Sequence, residues 1–442
     1  MKNLLICAVP TPGHTVPMRV VARHLLEQGY RVRFLAGRHV ADTLRADGCI
    51  IEPLCPEADF DYLNPAFEVP DDRSGVSASV AYNDLPPGDE QTVMALEHKF
   101  APAVPALHRQ IDEIIRREEI DLVLCDSWFT GILPLLGLRR RPPVLIIGVT
   151  PFGLSSPDSM LHGPRIAPLM VPPSLSGRLT RTEAEDVLLE RVQSAFDAAC
   201  VNATGIGLKR FFMDEMILAA DSWQHFAVPA FEHQREDLPA HVAFVGVPPC
   251  PPDRLSAGVP PWAEDDARPL VVVTQGTLAN RDLQRVIGPT LEAAADLPVR
   301  VLATTGGREP VGLTAPENGW IVPFVPFDRW FAHTSVLVSN GGYGTVQYAL
   351  ARGVPLIIAG AGEDKAEVAT RVAVAGCGID LGTAFPTPDA IRNALLRVLE
   401  RPGYRRVARS LARQNRYTDA LDSVAREVHR LTQRPRIVRE SP

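Results

Sequence analysis

Continuous apolar runs alternate with helical stretches in two separate parts of this chain of 442 residues. In the first part, residues 4–9, 122–125 and 144–149 are apolar throughout. A run without polar alternation is typical of a strand that is buried on both faces, and strands joined by helices lie parallel. The alternation restarts at residue 270. The sequence therefore predicts an α/β protein with two doubly wound, Rossmann-like parallel-sheet domains.

A proline-rich stretch divides the chain. Prolines crowd into residues 246–269, which we predict to be a stiff linker between a first domain, residues 1–245, and a second, residues 270–417. A helix at 418–434 and a tail at 435–442 follow. Ligands bind at the carboxyl ends of parallel strands, so we expect two carboxyl edges that face each other across a cleft.

Composition excludes several classes of protein. A formal net charge of −7 argues against nucleic acid as a general partner. No apolar run is long enough to span a membrane or to act as a secretion signal, so we expect a cytoplasmic protein. The seven cysteines form no C-x-x-C pair and are interpreted as unpaired thiols. Asp59-Phe-Asp61 has the D-x-D spacing of some metal–diphosphate sites but lies inside an insertion, so we expect no metal.

A glycine-rich turn, Ser339-Asn-Gly-Gly-Tyr-Gly-Thr345, follows an apolar run and precedes a helix. Glycines let the backbone approach a diphosphate, and the helix N-terminus supplies N–H donors and the positive end of a dipole. A tight packing turn is the alternative. Thr274-Gln-Gly-Thr277 ends the first strand of the same domain and either contacts the same phosphates or is an ordinary turn. Asp364-Lys365, at a later strand-to-helix turn, either contacts sugar hydroxyls or caps the helix.

One histidine and one aspartate of the first half follow or end predicted strands. His14 comes after the first strand, at a helix entrance where the dipole disfavours its cationic form. A neutral imidazole is a competent general base. If the strand that ends at Asp126 neighbours the first strand, the Asp126 carboxylate can orient His14. A capping or core histidine is the alternative.

In their order and spacing, these residues resemble family 1 glycosyltransferases of the GT-B fold, and among them the bacterial natural-product type that includes macrolide glycosyltransferases. The resemblance is strongest in Phe324-Val-Pro326, Gly341-Gly-x-Gly-Thr345 and Glu363-Asp-Lys365, and it extends to Gly13-His14-Thr-Val-Pro17. It implies inverting transfer of a sugar from a UDP- or dTDP-sugar to a hydroxyl of an apolar small molecule, without a metal or other cofactor.

The resemblance also implies roles for the matched residues. His14 is the base and Asp126 its partner. Donor-binding residues are Gly276, Thr277, Phe324, Val325, Asn340, Gly341, Gly342, Gly344, Thr345, Asp364 and Lys365. Of these, Phe324 and Val325 hold the nucleotide base, residues 340–345 hold the diphosphate, and Asp364-Lys365 reads the sugar hydroxyls. The C-terminal helix is expected to cross back to the first domain.

Two long insertions, residues 55–89 and 151–176, follow strands, and we expect them to line the acceptor side. Six aromatic residues in or near them are candidates for its apolar walls: Phe60, Tyr62, Phe67, Trp128, Phe129 and Phe152.

Two residues depart from the family pattern. Asn340 stands where the family usually has His, and Lys365 where it usually has Gln. Asparagine donates a hydrogen bond but cannot carry positive charge, so donor affinity is expected to be weaker. A nucleotide-sugar epimerase or hydrolase of the same fold, and a non-catalytic binding protein, are the alternatives. Asn340 favours the last, whereas the pairing of His14 with Asp126 argues against it. We expect a monomer or a homodimer.

Overall fold

The computed structural model describes residues 1–60, 68–70, 79–81, 89–155, 183–232, 235–250, 266–277, 280–360, 364–433 and 437–438. The chain forms two compact units. Unit 1 contains Met1–Phe226, Gln234–Val245 and Asp419–Pro442, and unit 2 contains Ala227–His233 and Gly246–Thr418. The short segment Ala227–His233, predicted as part of the first domain, belongs to unit 2, and so do residues 246–269, which were predicted to be a linker.

Unit 1 contains a parallel sheet of seven strands. Its strands are β1 (Asn3–Cys7), β2 (Arg31–Ala36), β3 (Ile50–Pro53), β6 (Leu122–Asp126), β8 (Val144–Gly148), β9 (Ser222–His225) and β10 (Val242–Phe244), in the order β10-β9-β8-β6-β1-β2-β3. Two short antiparallel pairs join β4 (Glu68–Pro70) to β5 (Ser79–Ala81), and β7 (Arg140–Arg141) to β17 (Ile437–Val438). The strand order reverses between β1 and β6, which is where this fold class binds ligands.

Both faces of this sheet are buried, which explains the continuous apolar runs. Along β1, Leu5 and Cys7 belong to one core cluster, whereas Leu4 and Ile6 belong to the cluster on the other face. Alternate side chains of a strand point to opposite faces, so a strand covered on both sides must be apolar throughout.

Helices cover the sheet of unit 1. They are α1 (Pro12–Glu27), α2 (Arg38–Ala46), α3 (Asp89–Ala95), α4 (Ala101–Glu118), α5 (Leu133–Leu136), α6 (Glu183–Thr204), α7 (Phe212–Ala219) and α14 (Ala420–Thr432). Asp419 caps α14 by accepting a hydrogen bond from the Asp422 N–H, and α14 packs against α1, β6 and β9 within unit 1.

The helical region before β6 contains two prolines, Pro102 and Pro105, yet it is not broken at either of them. Both prolines lie inside α4, and the irregularity is a π-helical turn at Leu96–Phe100 just before it. A proline ring clashes with the carbonyl four residues earlier in a regular α-helix. Residue 98, four residues before Pro102, lies in this widened turn, and the helix continues through both prolines.

Unit 2 contains a second parallel sheet, of six strands. They are β11 (Leu270–Thr274), β12 (Arg300–Thr304), β13 (Gly319–Val322), β14 (Thr334–Ser339), β15 (Leu356–Ile358) and β16 (Gly378–Asp380), in the order β13-β12-β11-β14-β15-β16. Its helices are α8 (Ile287–Ala294), α9 (Phe327–Trp330), α10 (Tyr343–Ala351), α11 (Lys365–Ala375), α12 (Pro388–Glu400) and α13 (Pro402–Arg416). The order again reverses beside the first strand, between β11 and β14, so the prediction of two doubly wound sheets is confirmed.

None of the seven cysteines forms a disulfide; five are buried, and Cys55 and Cys250 are half-buried. Among the described residues, no helix is both long and apolar enough to cross a membrane.

Candidate active site

His14 and Asp126 meet at the carboxyl edge of the first sheet. β1 pairs in parallel with β6, so the turn after β1 lies beside the residue that ends β6. Pro12 occupies the first turn of α1, where its missing N–H costs nothing, and places His14 in that same turn. The His14 Nδ1 lies 2.7 Å from Asp126 Oδ1. The neighbouring strands therefore bring together the two residues that sequence reasoning could pair only conditionally.

The Asp126 carboxylate is fully buried and surrounded by N–H groups. Its Oδ2 accepts from the Val9 N–H at 2.8 Å, and its Oδ1 accepts from the Trp128 N–H at 2.8 Å. An ionised carboxylate only accepts hydrogen bonds, so the imidazole nitrogen facing it carries the proton. This assignment leaves the lone pair on Nε2, the nitrogen that a general base uses. The His14 side chain is 18% exposed, so a substrate can reach it.

An apolar pocket lies beside this pair in unit 1, with an empty volume of about 350 Å³. It is lined by Val9, Pro10, Leu54, Ala58, Phe60, Lys99, Phe100, Ala103, Leu107, Trp128, Phe129 and Thr130. Val9 and Pro10 lead into the helix of His14, and Trp128 follows Asp126 by two residues. Lys99 is the charged group of the lining, and burial lowers its pKa. The lining suits a largely apolar molecule.

The aromatic candidates divide into three groups. Phe60, Trp128 and Phe129 line the pocket. Phe152 does not line this pocket, and its role as an acceptor wall stays a prediction. Its ring packs edge-on against Trp223, His225 and Phe244, because the chain after β8 turns back over β9 and β10. Tyr62 and Phe67 lie outside the described residues.

In unit 2, four turns form a continuous row along the carboxyl edge of the sheet. Gly276, after β11, has a φ of +68°, and its carbonyl lies 2.3 Å from the place where a Cβ at Gly306 would be. Gly306 follows β12. Next in the row, the Asn340 carbonyl lies 1.9 Å from a Cβ position at Gly360, which follows β15. The close approach of the backbone therefore requires glycine at Gly306 and Gly360. The sequence analysis did not identify either position.

The glycine-rich turn after β14 has room on its outer side. Gly341 has a φ of +92°, and a Cβ there would lie 2.9 Å from Ile358 Cγ2. Gly342 precedes α10 and Gly344 lies in its first turn, and a Cβ at either would meet nothing within 4 Å. Thr345, also in the first turn of α10, is half-buried. Among the described residues, the space next to these two glycines at the start of α10 is therefore open, which leaves room for a ligand beside the turn.

Asn340 is turned toward the first-strand turn. Its Nδ2 donates to the Gln275 carbonyl at 2.6 Å, which fixes the orientation of the amide. Its Oδ1 is buried and has no hydrogen-bond partner among the described residues. That oxygen lies 4.0 Å from a Cβ position at Gly276, so the side chain joins the turns after β14 and β11. Thr277 follows Gly276 and is half-buried.

Phe324 and Val325 have different environments. The half-buried Phe324 ring lies against Gly307, where its Cζ is 2.8 Å from a Cβ position, and Gly307 has a φ of +90°. The Val325 side chain is buried, so only its backbone is available to a nucleotide base.

Asp364 and Lys365 lie where α11 begins. Asp364 is the N-cap residue but makes no side-chain cap hydrogen bond, so the capping alternative fails. Lys365 is buried and contacts Gly341 and Gly360 through its backbone and Cβ. The backbone and Cβ of Lys365 thus lie beside the glycine-rich turn, and contact of its ammonium with the sugar stays a prediction.

Within the described ranges, no three His, Cys, Asp or Glu side chains form a metal-binding cluster. Asp59 of the D-x-D sequence instead pairs with Arg38 at 2.8 Å. Asp61 lies outside the described residues.

Comparisons with known proteins give the family. Residues 289–431 match the family model of the erythromycin biosynthesis protein CIII-like C-terminal domain. The chain is 33% identical to 4'-demethylrebeccamycin synthase of Lentzea aerocolonigenes, over 96% of this chain and 98% of that protein. It is 30% identical to UDP-glucosyltransferase 1 of Beauveria bassiana, over 97% of this chain and 95% of that protein. The solved structure of spinosyn rhamnosyltransferase SpnG with thymidine diphosphate has a TM-score of 0.66 at 18% identity, and covers 97% of this chain and 100% of its own. The chain therefore belongs to the GT-B glycosyltransferase family that includes 4'-demethylrebeccamycin synthase.

Proposed function

We propose that this glycosyltransferase moves a sugar, with inversion at the anomeric carbon, from a nucleoside diphosphate sugar to a hydroxyl of an apolar small molecule. The observation that carries the proposal is the pair of His14 Nδ1 and Asp126 Oδ1 at 2.7 Å, beside an apolar pocket. His14 Nε2 removes the proton of the acceptor hydroxyl while its oxygen attacks the anomeric carbon. The bond from that carbon to the diphosphate oxygen breaks, and the diphosphate leaves with the electron pair.

Asp126 supports this step in two ways. Three N–H groups hold its carboxylate in place, and the carboxylate holds the imidazole in the tautomer that leaves Nε2 as acceptor. When His14 takes the acceptor proton, the same carboxylate stabilises the imidazolium. The acceptor oxygen attacks from the side opposite the leaving group in a single step, which inverts the anomeric carbon. Inverting glycosidases likewise use a general base and form no covalent intermediate.

The departing diphosphate gains negative charge, and we propose that the turn at residues 340–345 stabilises it. The first N–H groups of α10 and the positive end of its dipole supply fixed donors. A site of this kind can perform the transfer without a metal ion. Phe324 would stack on the nucleotide base, and Asp364 would accept hydrogen bonds from the sugar hydroxyls.

The names of relatives support the substrate classes. One relative is a UDP-glucosyltransferase, whereas a structural neighbour was solved with thymidine diphosphate, so both nucleotides are candidate donors. The synthase of 4'-demethylrebeccamycin and the spinosyn rhamnosyltransferase are named for natural products. The apolar lining of the pocket is consistent with an acceptor of that kind.

The test is release of nucleoside diphosphate from UDP- and dTDP-sugars, with and without a panel of phenolic, polyketide and macrolide acceptors, in the presence of EDTA. The proposal predicts acceptor-dependent release that EDTA does not change. Equal release without acceptor would favour the hydrolase or epimerase alternative. Loss of activity in EDTA that Mg²⁺ or Mn²⁺ restores would contradict the metal-free mechanism.

A further inference from the structure

A buried cluster of charged and polar side chains lies behind the glycine-rich turn in unit 2. Glu232 follows a short helical turn, Pro229–Phe231, in the segment that packs with unit 2. Its carboxylate accepts a hydrogen bond from Tyr343 Oη at 2.7 Å and another from Arg371 Nε at 2.8 Å. The side chains of Glu232 and Arg371 are 2% and 1% exposed, so this carboxylate does not face solvent.

The two partners of Glu232 belong to the helices that begin at the donor-binding turns. Tyr343 is the first residue of α10 and lies inside the glycine-rich turn. Arg371 lies in α11, which begins at Lys365 directly after Asp364, and it also pairs with Glu367 of its own helix. One carboxylate from a distant part of the sequence therefore joins the start of α10 to the second turn of α11.

The electrostatics of the cluster make this connection firm. Burial opposes the charge of Arg371, but the carboxylates of Glu232 and Glu367 outweigh it and raise the pKa of the guanidinium. Burial and the neighbouring Glu232 carboxylate raise the pKa of the Tyr343 phenol, so it remains a hydrogen-bond donor. Hydrogen bonds to an ionised group in a buried site are stronger than neutral ones and costly to lose.

We propose that Glu232 is a positioning residue for the nucleotide-sugar donor, acting through Tyr343 on the glycine-rich turn and through Arg371 on the turn at Asp364. The inference rests on the proposed function. Diphosphate binding needs the N–H groups of one turn and the side chains of the other in one fixed geometry, and small misplacements are costly in such sites. By joining the start of α10 to the second turn of α11, Glu232 fixes the two helices that carry these turns without touching the donor.

The test compares Y343F, which removes only the Oη atom, with wild type. Isothermal titration with UDP and with dTDP measures affinity without requiring turnover. Loss of the hydrogen bond to Glu232 should weaken nucleotide binding by at least about fivefold and raise the donor KM similarly, with the acceptor KM unchanged. E232Q places an amide N–H₂ or a neutral oxygen opposite Arg371. It should also weaken nucleotide binding and raise the donor KM. If both act through one contact, the double variant loses little more affinity than E232Q alone.

D221N is the matched control. Asp221 is also buried, accepts from the Val144 N–H at 2.8 Å and pairs with Arg141, all within unit 1. It should lower thermal stability and leave the nucleotide affinity unchanged. Y343F could lose stability as D221N does and still bind nucleotide as wild type does. That result would overturn this inference but leave the proposed function standing. If wild type binds neither nucleotide, the proposed function falls, and the inference with it.

Discussion

Replacing Asp126 with Asn separates the charge of this carboxylate from its shape. The carboxylate accepts two N–H groups on Oδ1, from His14 and Trp128, and one on Oδ2, from Val9. Asparagine has one oxygen, so at least one buried N–H must face an amide N–H₂ group. We expect D126N to lose about 1–3 kcal/mol of unfolding free energy for that unsatisfied donor.

The effect on turnover depends on which way the amide faces. With its oxygen toward His14, the tautomer is kept and only the charge is lost. A charge-assisted bond is worth roughly 1.5–3 kcal/mol, so kcat falls by about 10- to 100-fold. With its N–H₂ group toward His14, the imidazole must carry its proton on Nε2 and cannot act as base. The loss then approaches about 10⁴-fold.

The assay is nucleoside diphosphate release at saturating donor and acceptor, with UDP affinity and urea unfolding measured on the same preparations. D221N removes a comparably buried carboxylate of unit 1 that is not paired with His14. It should lose stability but keep kcat. Wild-type kcat in a correctly folded D126N, or an equal loss of kcat in D221N, would refute this role for Asp126.

Three further substitutions test other parts of the account. G341A forces a Cβ into a backbone with φ +92° and should cost about 1–3 kcal/mol of stability by urea unfolding, whereas G342A, whose Cβ meets nothing within 4 Å, should unfold as wild type does. N340D puts a carboxylate opposite the Gln275 carbonyl and beside the glycine-rich turn. Its negative charge repels the diphosphate, so the UDP affinity measured by titration should fall at least about tenfold. An unchanged affinity would place the diphosphate elsewhere. Burial raises the pKa of Asp214, so the folded state holds its proton more tightly and this carboxyl costs stability as pH rises through the raised pKa. D214N should therefore be more stable than wild type at pH 7 in urea unfolding and lose that advantage near pH 4; an advantage independent of pH would contradict the argument.

The parts of the fold that are buried on both faces could be predicted from the sequence, because they leave a continuous apolar run. Strands β1, β6 and β11 are of this kind. Strand β9, Ser222–His225, could not, since three of its four residues are polar. Its polar side chains are buried because they bond to each other: Gln224 Nε2 donates to Ser222 Oγ, and Trp223 Nε1 contacts His225 Nδ1. Such pairing depends on tertiary structure and leaves no periodic signal.

The same distinction applies to the candidate site. Motifs that are local in sequence, such as the turn at residues 340–345, could be identified with their helix. The position of Phe152 could not, because its contacts depend on how the chain returns over β9 and β10. Glu232 is 111 residues from Tyr343, and no motif surrounds it. Its contact with the glycine-rich turn became visible only in three dimensions.

The central claim is that His14 is the base of glycosyl transfer. Its most direct test is acceptor-dependent turnover of H14A with saturating donor, alongside UDP affinity measured by titration. We expect kcat to fall by at least about 100-fold while UDP affinity stays that of wild type. An H14A enzyme that keeps full turnover would contradict it.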